Sequence, residues 1–473
     1  MKQKNSPRGS VVLKLILVGF LALVLLAPTA MIQNLVHERE ERRDEAVDEV
    51  GSKWGGEQII AGPILTVPYK KIVKVLSQET AEQTAYAHFL PEELKISGNA
   101  SSQVLNRGIY DIPVYDTNLK FQGQFAPLDF GSFDVYNNKI LWDDTVVSIV
   151  ITDPRGINKE INFTWDGQVF KAEPGLGTNS LASLKLSSSN KNEALSPVYK
   201  EQSGTTDSSN HGVSAKIPFS SFASRQDYHT FDFQLDVNGS KELFFLPLGS
   251  KTEIKISSDW QNPSFNGAFL PDSREINENG FKADWTILKI NRDFAGAWSG
   301  DASASISNSD FGVKLLLPVD EYQKNTRSIK YAILIISLTF LIFFFIEVMN
   351  RIRIHPIQYL LVGLALVLFF SLLLSLSEHL GFNLSYLVAG AGTILMITLY
   401  SWAIFKRFWL AIIEGVFLSF IYIFIFVILR LQDYSLLVGS VGLFVVLAII
   451  MFISRKVDWY MAGAMDLTEK DNE

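Results

Sequence analysis

The stretch IHPIQYLLVGLALVLFFSLLLSLSEHLGF, residues 354–382, decides the fold of this chain. Residues 357–377 form a run of 21 residues without a charge. At about 1.5 Å of rise per residue, an α-helix of that length spans the roughly 30 Å hydrocarbon core of a bilayer. The stretch therefore predicts a transmembrane helix, and the chain is predicted to be an integral membrane protein.

Polar side chains mark one face and both ends of this helix. Ser371, Ser375 and Glu378 stand at positions i, i+4 and i+7, which share one helical face. A polar face that ends in an acid is costly in lipid, so we expect it to look into a helix bundle or cavity. His379 follows the acid, and His355 stands before a proline at the start of the helix, where a structural cap is favoured over a reactive role.

Composition separates the chain into two kinds of sequence. Of the 473 residues, 48% are hydrophobic and 19% are charged, a mixture typical of apolar helices joined to a sizeable water-soluble domain. The net charge of −7 gives no general nucleic-acid footprint, so no nucleic-acid partner is expected. Cysteine is absent, which excludes disulfides, thiolate metal sites and cysteine nucleophiles.

Five further apolar segments complete a predicted set of six membrane helices. Residues 11–33 form an N-terminal segment that is longer than the apolar part of a secretory signal peptide, so an uncleaved anchor is favoured. Lys14 within it is expected to extend toward the lipid headgroups. The C-terminal block, residues 329–454, holds the other helices, at 331–349, 357–377, 384–405, 408–429 and 435–454.

The positions of Lys and Arg predict the orientation of these helices. Basic residues cluster in residues 1–10, between the second and third helices, between the fourth and fifth, and after the sixth. All of these clusters fall on one side if the chain crosses six times, and that side is the cytoplasm. Both termini, including the tail 455–473, are then cytoplasmic, and the large domain between the first two helices is periplasmic.

The predicted large domain is β-rich. A charged helix over residues 34–56, ended by Gly55-Gly56, leads into residues 57–328, which contain short β-branched and aromatic runs. Asp166-Gly167 is a turn signal that bounds the strands, and Asn238-Gly239 predicts a hairpin turn. Residues 177–212 are rich in Ser, Asn and Thr and predict a flexible insertion. The strands before and after this insertion could form two β-sandwich-like lobes. The fold class is an α+β membrane protein with one N-terminal and five C-terminal membrane helices.

Three further residues are candidates for function. Glu414 lies inside the fifth membrane helix, where an acid marks a pathway or a paired charge, and Arg407 is a candidate partner along the same face. Arg107 and Asp259 lie in the domain between the helices, and a buried ion pair or turn lock between strands is favoured for them. The six histidines have no metal-ligand spacing, so no catalytic residue, metal or cofactor is predicted.

Several long stretches resemble one known family. They are WGGEQIIAGPILTVPY at 54–69, RGIYDIPVY at 107–115 and HPIQYLLVGLALVLFFSLLLSLSEH at 355–379. In these stretches the chain resembles the inner membrane protein CreD family, also described as cell envelope integrity proteins. The resemblance implies a multi-pass protein of the Gram-negative inner membrane with a periplasmic domain, linked to the CreBC two-component system and to envelope homeostasis. It implies no catalytic residue, cofactor or substrate.

Two classes of function follow from these observations. The first is a non-enzymatic envelope protein that acts by binding or scaffolding, with the β-rich domain contacting a periplasmic or envelope protein partner. The second is a transporter or intramembrane enzyme that handles an envelope component, with its site in the five-helix block. The lipid bilayer is a partner in both, and the sequence predicts no particular oligomeric state.

Overall fold

A computed structural model describes most of the chain. The described residues are 10–74, 80–131, 133, 139–178, 181, 184, 186, 211–218, 227–301, 304–316, 321–350, 352–431 and 435–455. The chain divides into two compact units. The membrane unit comprises Met1–Arg43 and Val319–Glu473, and the β unit comprises Asp44–Pro318.

The helices follow the apolar spans closely. They are α1 (Ser10–Val24), α2 (Leu26–Trp54), α3 (Ala304–Ser307), α4 (Glu321–Lys330), α5 (Ala332–Asn350), α6 (Pro356–Leu380), α7 (Phe382–Phe405), α8 (Phe408–Arg430) and α9 (Ser435–Ser454). The break between α1 and α2 at Leu25 has a local cause. Pro28 has no N–H to donate to the carbonyl of Val24, so one helical hydrogen bond is lost there.

Five stretches of helix are long and apolar enough to cross a membrane, on the residues that the structure describes. They are Leu13–Trp54, Ala332–Asn350, Pro356–Leu380, Phe382–Phe405 and Phe408–Arg430, and Leu437–Phe452 is a shorter apolar helix. This set of one N-terminal and several C-terminal apolar helices confirms the predicted fold class.

Small residues allow the helices of the membrane unit to pack closely. A Cβ on Gly363 of α6 would lie 2.1 Å from Cδ1 of Leu25, so the missing side chain lets the N-terminal segment approach α6. Ser385 and Ala389 on α7 are both 0% exposed. Their spacing is typical of helix packing in membranes, and the structure uses it in that way.

The β unit contains seventeen described strands. They are β1 (Gln58–Lys74), β2 (Thr80–Phe89), β3 (Glu93–Arg107), β4 (Tyr110–Phe125), β5 (Val146–Ile151), β6 (Asn162–Trp165), β7 (Gln168–Lys171), β8 (Glu173–Pro174), β9 (His211–Lys216), β10 (His229–Ser240), β11 (Glu242–Phe245), β12 (Lys251–Ser258), β13 (Pro263–Gly267), β14 (Ser273–Asn277), β15 (Gly280–Leu288), β16 (Ala297–Ser299) and β17 (Phe311–Leu315).

These strands form two sheets that share one core. One sheet has the order β13-β17-β11-β1-β5-β9-β8, with β2 and β16 attached to β1, and the other has the order β14-β15-β12-β3-β4-β10-β6-β7. Strands from before and after the insertion are neighbours in both sheets, because β1 pairs with β11, β3 with β12 and β4 with β10. A single cluster of buried apolar side chains includes residues of both sheets. The β unit is therefore one body with one core, and not two lobes.

The turn predicted at Asp166-Gly167 and the hairpin turn predicted at Asn238-Gly239 have different outcomes. Asp166 and Gly167 adopt positive φ values of 45° and 80° between β6 and β7, which confirms the first turn. Asn238-Gly239 lies inside β10, in register with Asp116 and Tyr115 of β4, so the second prediction is wrong. A Cβ on Gly239 would lie 2.2 Å from the Tyr115 hydroxyl oxygen, so the glycine makes room for a buried ring and does not make a turn.

Most of the predicted insertion, residues 177–212, including all of residues 187–210, lies outside the described residues. Its described edges are ordered parts of the fold. Leu181 and Leu184 are 0% exposed and belong to the core cluster, and His211 begins β9. The packed part of the β unit therefore extends into the range that composition predicts to be an insertion.

Candidate functional site

A buried acid near the end of α5 joins three segments of the membrane unit. Glu347 is 5% exposed, and its Oε1 accepts hydrogen bonds from the Lys14 ammonium and from the Ile354 backbone N–H at 2.9 Å. Its Oε2 accepts a hydrogen bond from the Tyr359 hydroxyl at 2.9 Å. These residues form the Glu347 cluster. Because Lys14 pairs with this carboxylate, its expected extension to the headgroups is replaced by a contact with α5.

Sequence reasoning missed Glu347, because the acid lies near the end of an otherwise apolar span. The signal was present in the two charges themselves. Lys14 and Glu347 are single opposite charges inside apolar segments, and such charges pair far more often than they face lipid. The pairing makes α1 a member of the helix bundle.

A second polar cluster lies at the opposite end of α6. The Glu378 Oε1 accepts a hydrogen bond from the Tyr322 hydroxyl at 3.2 Å and lies 3.9 Å from Nε of Arg39. One turn after Tyr322 on α4, the Asn325 side chain donates a hydrogen bond to the hydroxyl of Ser377, the residue before Glu378, at 2.8 Å. Glu378, Tyr322, Arg39, Asn325 and Ser377 form the Glu378 cluster. It ties α2 and α4 to the end of α6.

The predicted polar face of α6 is only partly buried. Ser371 is half-buried and Ser375 is exposed, whereas Ser377, which the predicted face does not include, is buried. The expectation that Ser375 looks into the bundle is therefore wrong. The approach of α4 covers the side of the helix that carries Ser377, and sequence spacing alone does not show where a neighbouring helix lies.

The two histidines at the ends of α6 have simple surroundings. His355 caps the helix. Its ring Nδ1 accepts a hydrogen bond from the Ile357 backbone N–H at 3.3 Å, and its backbone N–H donates to the Gln358 side-chain oxygen at 2.9 Å. This is the predicted cap. His379 is exposed near the other end of the helix.

The third polar cluster holds the acid predicted from α8. Glu414 is 0% exposed, and neither carboxylate oxygen has a hydrogen-bond partner among the described residues. Ser401, also 0% exposed, lies beside the carboxyl group, and Thr398 lies one turn earlier on α7. We name Glu414, Ser401 and Thr398 the Glu414 cluster. Arg407, the partner suggested by sequence, is exposed and makes no ion pair with Glu414.

The candidates in the β unit make structural contacts. Arg107 pairs with Glu49 of α2 at 2.9 Å, but its side chain is 58% exposed, so the pair is not buried and it joins a strand to a helix. Asp259 accepts hydrogen bonds from the Ser102 backbone N–H at 2.7 Å and from the Ser102 hydroxyl at 2.5 Å. It therefore locks the end of β12 to β3, as predicted.

Two buried basic groups of the β unit are held in its interior. His88 is 0% exposed, bonds to the Thr66 hydroxyl at 2.9 Å and stacks on Trp298, and burial lowers its pKa to about 4. Arg292 donates to the Leu248 carbonyl at 2.5 Å, and burial lowers its pKa to about 10. No group of three or more His, Asp or Glu side chains is placed to hold a metal within the described residues.

Comparison with known proteins supplies the family. The family described as inner membrane protein CreD matches residues 10–460. Inner membrane protein CreD of Escherichia coli (strain K12) is 31% identical over 442 residues, which cover 93% of this chain and 91% of that protein. The match therefore includes the apolar helices and the β unit together. The chain belongs to the CreD family of multi-pass inner membrane proteins.

Proposed function

We propose that this protein supports the integrity of the cell envelope as a non-enzymatic platform. In this proposal the membrane unit is an anchor, and the β unit lies in the periplasm and binds an envelope protein partner. The name of the family supports the membrane location, and the resemblance in sequence motivates the envelope role.

The observation that carries the proposal is the use of the charged groups in the membrane unit. The Glu347 cluster and the Glu378 cluster both tie the N-terminal segment to the C-terminal helices, at two levels of the bundle. The chain segments before and after the β unit are thus joined to each other firmly. That arrangement suits an anchor for a large domain.

The same contacts bring together the helix ends that the proposed orientation places on one side, and the positions of Lys and Arg indicate which side is the cytoplasm. Lys14, the end of α5 and the start of α6 meet at one end of the bundle, and Arg39, α4 and the end of α6 meet at the other. Reporter fusions after His37, Ser328 and Glu378 should therefore read periplasmic, and fusions after Arg353, Arg407 and Glu473 cytoplasmic. A cytoplasmic reading after Ser328 would overturn the orientation.

The platform role is tested by crosslinking in living cells. A photoreactive amino acid is placed at exposed apolar positions of the β unit, such as Val169 (65% exposed), Leu270 (65%) and Ile290 (88%), with the buried Phe163 as control. We expect an envelope protein to be captured at one exposed position. An aspartate at that position should then lower resistance of the cells to detergent without lowering abundance of the protein. Retained resistance in every aspartate variant would contradict the proposal.

A second candidate function is transport or intramembrane chemistry on an envelope component. Glu414 favours it, because a buried acid without a partner is expensive in a membrane and is typical of a pathway. On this candidate, Glu414→Gln leaves the protein abundant and inserted but abolishes its envelope phenotype. On the platform proposal the variant keeps the phenotype, so one strain separates the two functions.

A further inference from the structure

The serine and threonine hydroxyl groups of α7 and α8 fall into two sets. Ser385, Thr393 and Ser419 donate to the carbonyl four residues earlier in their own helix, at 2.8, 2.9 and 2.8 Å. This is the ordinary way to satisfy a hydroxyl inside a membrane helix. Thr398 and Ser401 make no such bond within α7, although both oxygen atoms are inaccessible to solvent, and the Ser401 hydroxyl faces the Glu414 carboxyl group instead. Their oxygens remain available to a ligand.

The Glu414 carboxylate adds two more buried oxygens at the same place. Their nearest named polar neighbour is the Ser401 hydroxyl, which faces the carboxyl group without reaching good hydrogen-bond geometry, and no ion pair to a Lys, Arg or His of the described residues is formed. Burial of a carboxylate without a counter-charge costs several kcal/mol, on the order of the penalty for any unpaired ion in a protein interior. A positively charged species in the cluster would remove most of that cost.

A glycine on α8 allows a close approach of the Thr398 side chain. A Cβ on Gly415, the neighbour of Glu414, would lie 2.5 Å from Oγ1 of Thr398. The Thr398 hydroxyl is therefore directed at α8 and occupies the room that the glycine leaves. Ser401 lies beside the Glu414 carboxyl, and Thr398 lies one turn away against the next residue of α8, so these side chains present four oxygen atoms on the facing sides of two adjacent helices.

We propose that the Glu414 cluster binds one monovalent metal cation of the size of Na⁺ or K⁺. Hard cations of this kind prefer oxygen ligands, and carboxylate and hydroxyl oxygens are the donors present. A single carboxylate neutralises a single positive charge, whereas a divalent cation would leave a net charge in the hydrocarbon region. The cation site goes beyond the platform role, and its test measures ion binding and not an envelope phenotype.

The site is close to one end of the helices. Glu414 lies six residues from the start of α8, about 9 Å along the axis, and Ser401 lies four residues from the end of α7, about 6 Å. In this proposal the cation enters from the side of the short α7–α8 connection, which is the nearer end of both helices.

The first test measures stability of the purified full-length protein in lipid nanodiscs. The buffer contains N-methylglucamine chloride, which is replaced by LiCl, NaCl or KCl at constant ionic strength. We expect one of these cations to raise the unfolding temperature along a saturable curve, because a ligand of the folded state stabilises it. Ser401→Ala should raise the apparent Kd about tenfold, the equivalent of one lost contact to a charge. Ser385→Ala, which removes a hydroxyl bonded within its own helix, should leave the Kd unchanged.

The second test uses the wild-type protein, so it does not depend on any variant folding. Dicyclohexylcarbodiimide, which reacts with protonated carboxyl groups in apolar surroundings, should label the Glu414 peptide in N-methylglucamine buffer. The stabilising cation should protect that peptide in proportion to its occupancy. Equal labelling in all four salts would show that the carboxyl takes up a proton alone and would overturn the proposal. Equal unfolding temperatures in all four salts would overturn it as well.

Discussion

Glu347 and Glu414 are both buried acids in helices of the membrane unit, and they differ in everything that surrounds them. Glu347 accepts hydrogen bonds from an ammonium, a hydroxyl and a backbone N–H. Glu414 accepts none from the described residues, although it is the more completely buried of the two. The first is a complete structural contact between chain segments, and the second is the acid at which we propose that a cation binds.

The comparison teaches that burial of an acid does not by itself indicate function. A carboxylate whose oxygens all accept hydrogen bonds stabilises the contact that it makes. If one partner is removed, the remaining buried group keeps its desolvation penalty without compensation. A carboxylate without partners lowers stability unless something binds to it. Substitutions at the two acids should therefore have opposite signs.

The largest expected effect is at Lys14. Lys14→Met leaves the Glu347 carboxylate, whose side chain is 6% exposed, without its counter-charge. We expect the free energy of unfolding to fall by about 3 kcal/mol, measured by thermal unfolding of the protein in nanodiscs. The double variant Lys14→Met with Glu347→Gln should recover most of that loss. An unchanged unfolding temperature in the single variant would show that the Glu347 cluster does not stabilise the contact between α1 and α5.

The next effect extends the comparison to an acid outside the membrane. Asp153 of the β unit accepts from the Gly56 N–H at 2.9 Å and from two guanidinium nitrogens of Arg155 at 2.8 Å. Burial alone would raise the pKa of Asp153, but the hydrogen bonds from Arg155 and from Gly56 lower it overall. Asp153→Asn should therefore reduce the free energy of unfolding at neutral pH by about 2 kcal/mol.

The pH dependence of this acid has a definite sign. Because the folded pKa of Asp153 is lower than the unfolded value of about 3.9, its stabilisation is fully present above pH 4 or so. It is lost as the pH falls through the folded value. Acid unfolding followed by tryptophan fluorescence should show this loss in the wild type and not in Asp153→Asn. Identical acid profiles would contradict the assignment.

A smaller effect of opposite sign is expected at Glu414. In buffer without small cations, Glu414→Gln removes an uncompensated charge and should raise the free energy of unfolding by about 1 kcal/mol. Glu347→Gln, the matched change at the satisfied acid, should lower it under the same conditions. If both variants lose stability, the contrast between the two acids fails.

The smallest effect is expected at the exposed ion pair of the β unit. Arg107→Ala removes a contact with Glu49 in which both side chains are more than a third exposed, 58% and 42%. Solvent screens such a pair, so the unfolding temperature should change by the equivalent of about 0.5 kcal/mol or less. A larger loss would show that Arg107 contributes more than this ion pair.

Local sequence predicted several features of the fold well, and the reasons are local too. The apolar spans match α5 to α9 to within three residues, because an uncharged run of about twenty residues has few alternatives to a membrane helix. Asp166-Gly167 makes its turn because both residues tolerate positive φ. Asn238-Gly239 has the same local signal, but the Tyr115 ring packed against Gly239 decides its conformation from a distant strand.

The candidate sites divide in the same way. Glu414 was visible in the sequence because an acid inside an apolar helix stands out whatever helices pack around it. Its ligand set was not visible, since Ser401 and Thr398 lie on another helix and their hydroxyls resemble those of Ser385 until their hydrogen bonds are known. Glu347 was missed because its meaning depends on Lys14, more than three hundred residues earlier in the chain.

The sequence by itself determined that this chain is a membrane protein with a β-rich domain between its first and second membrane helices, because hydropathy and strand periodicity are properties of neighbouring residues. It also carried the CreD family, through long matching stretches. Only the tertiary structure decided that the β unit has one core, that Glu347 is neutralised by Lys14, and that Glu414 faces Ser401 and forms no ion pair among the described residues. Each of these depends on which distant residues meet. In a low-dielectric interior, the partner of a charged side chain decides whether that side chain makes a structural contact or is a candidate binding site.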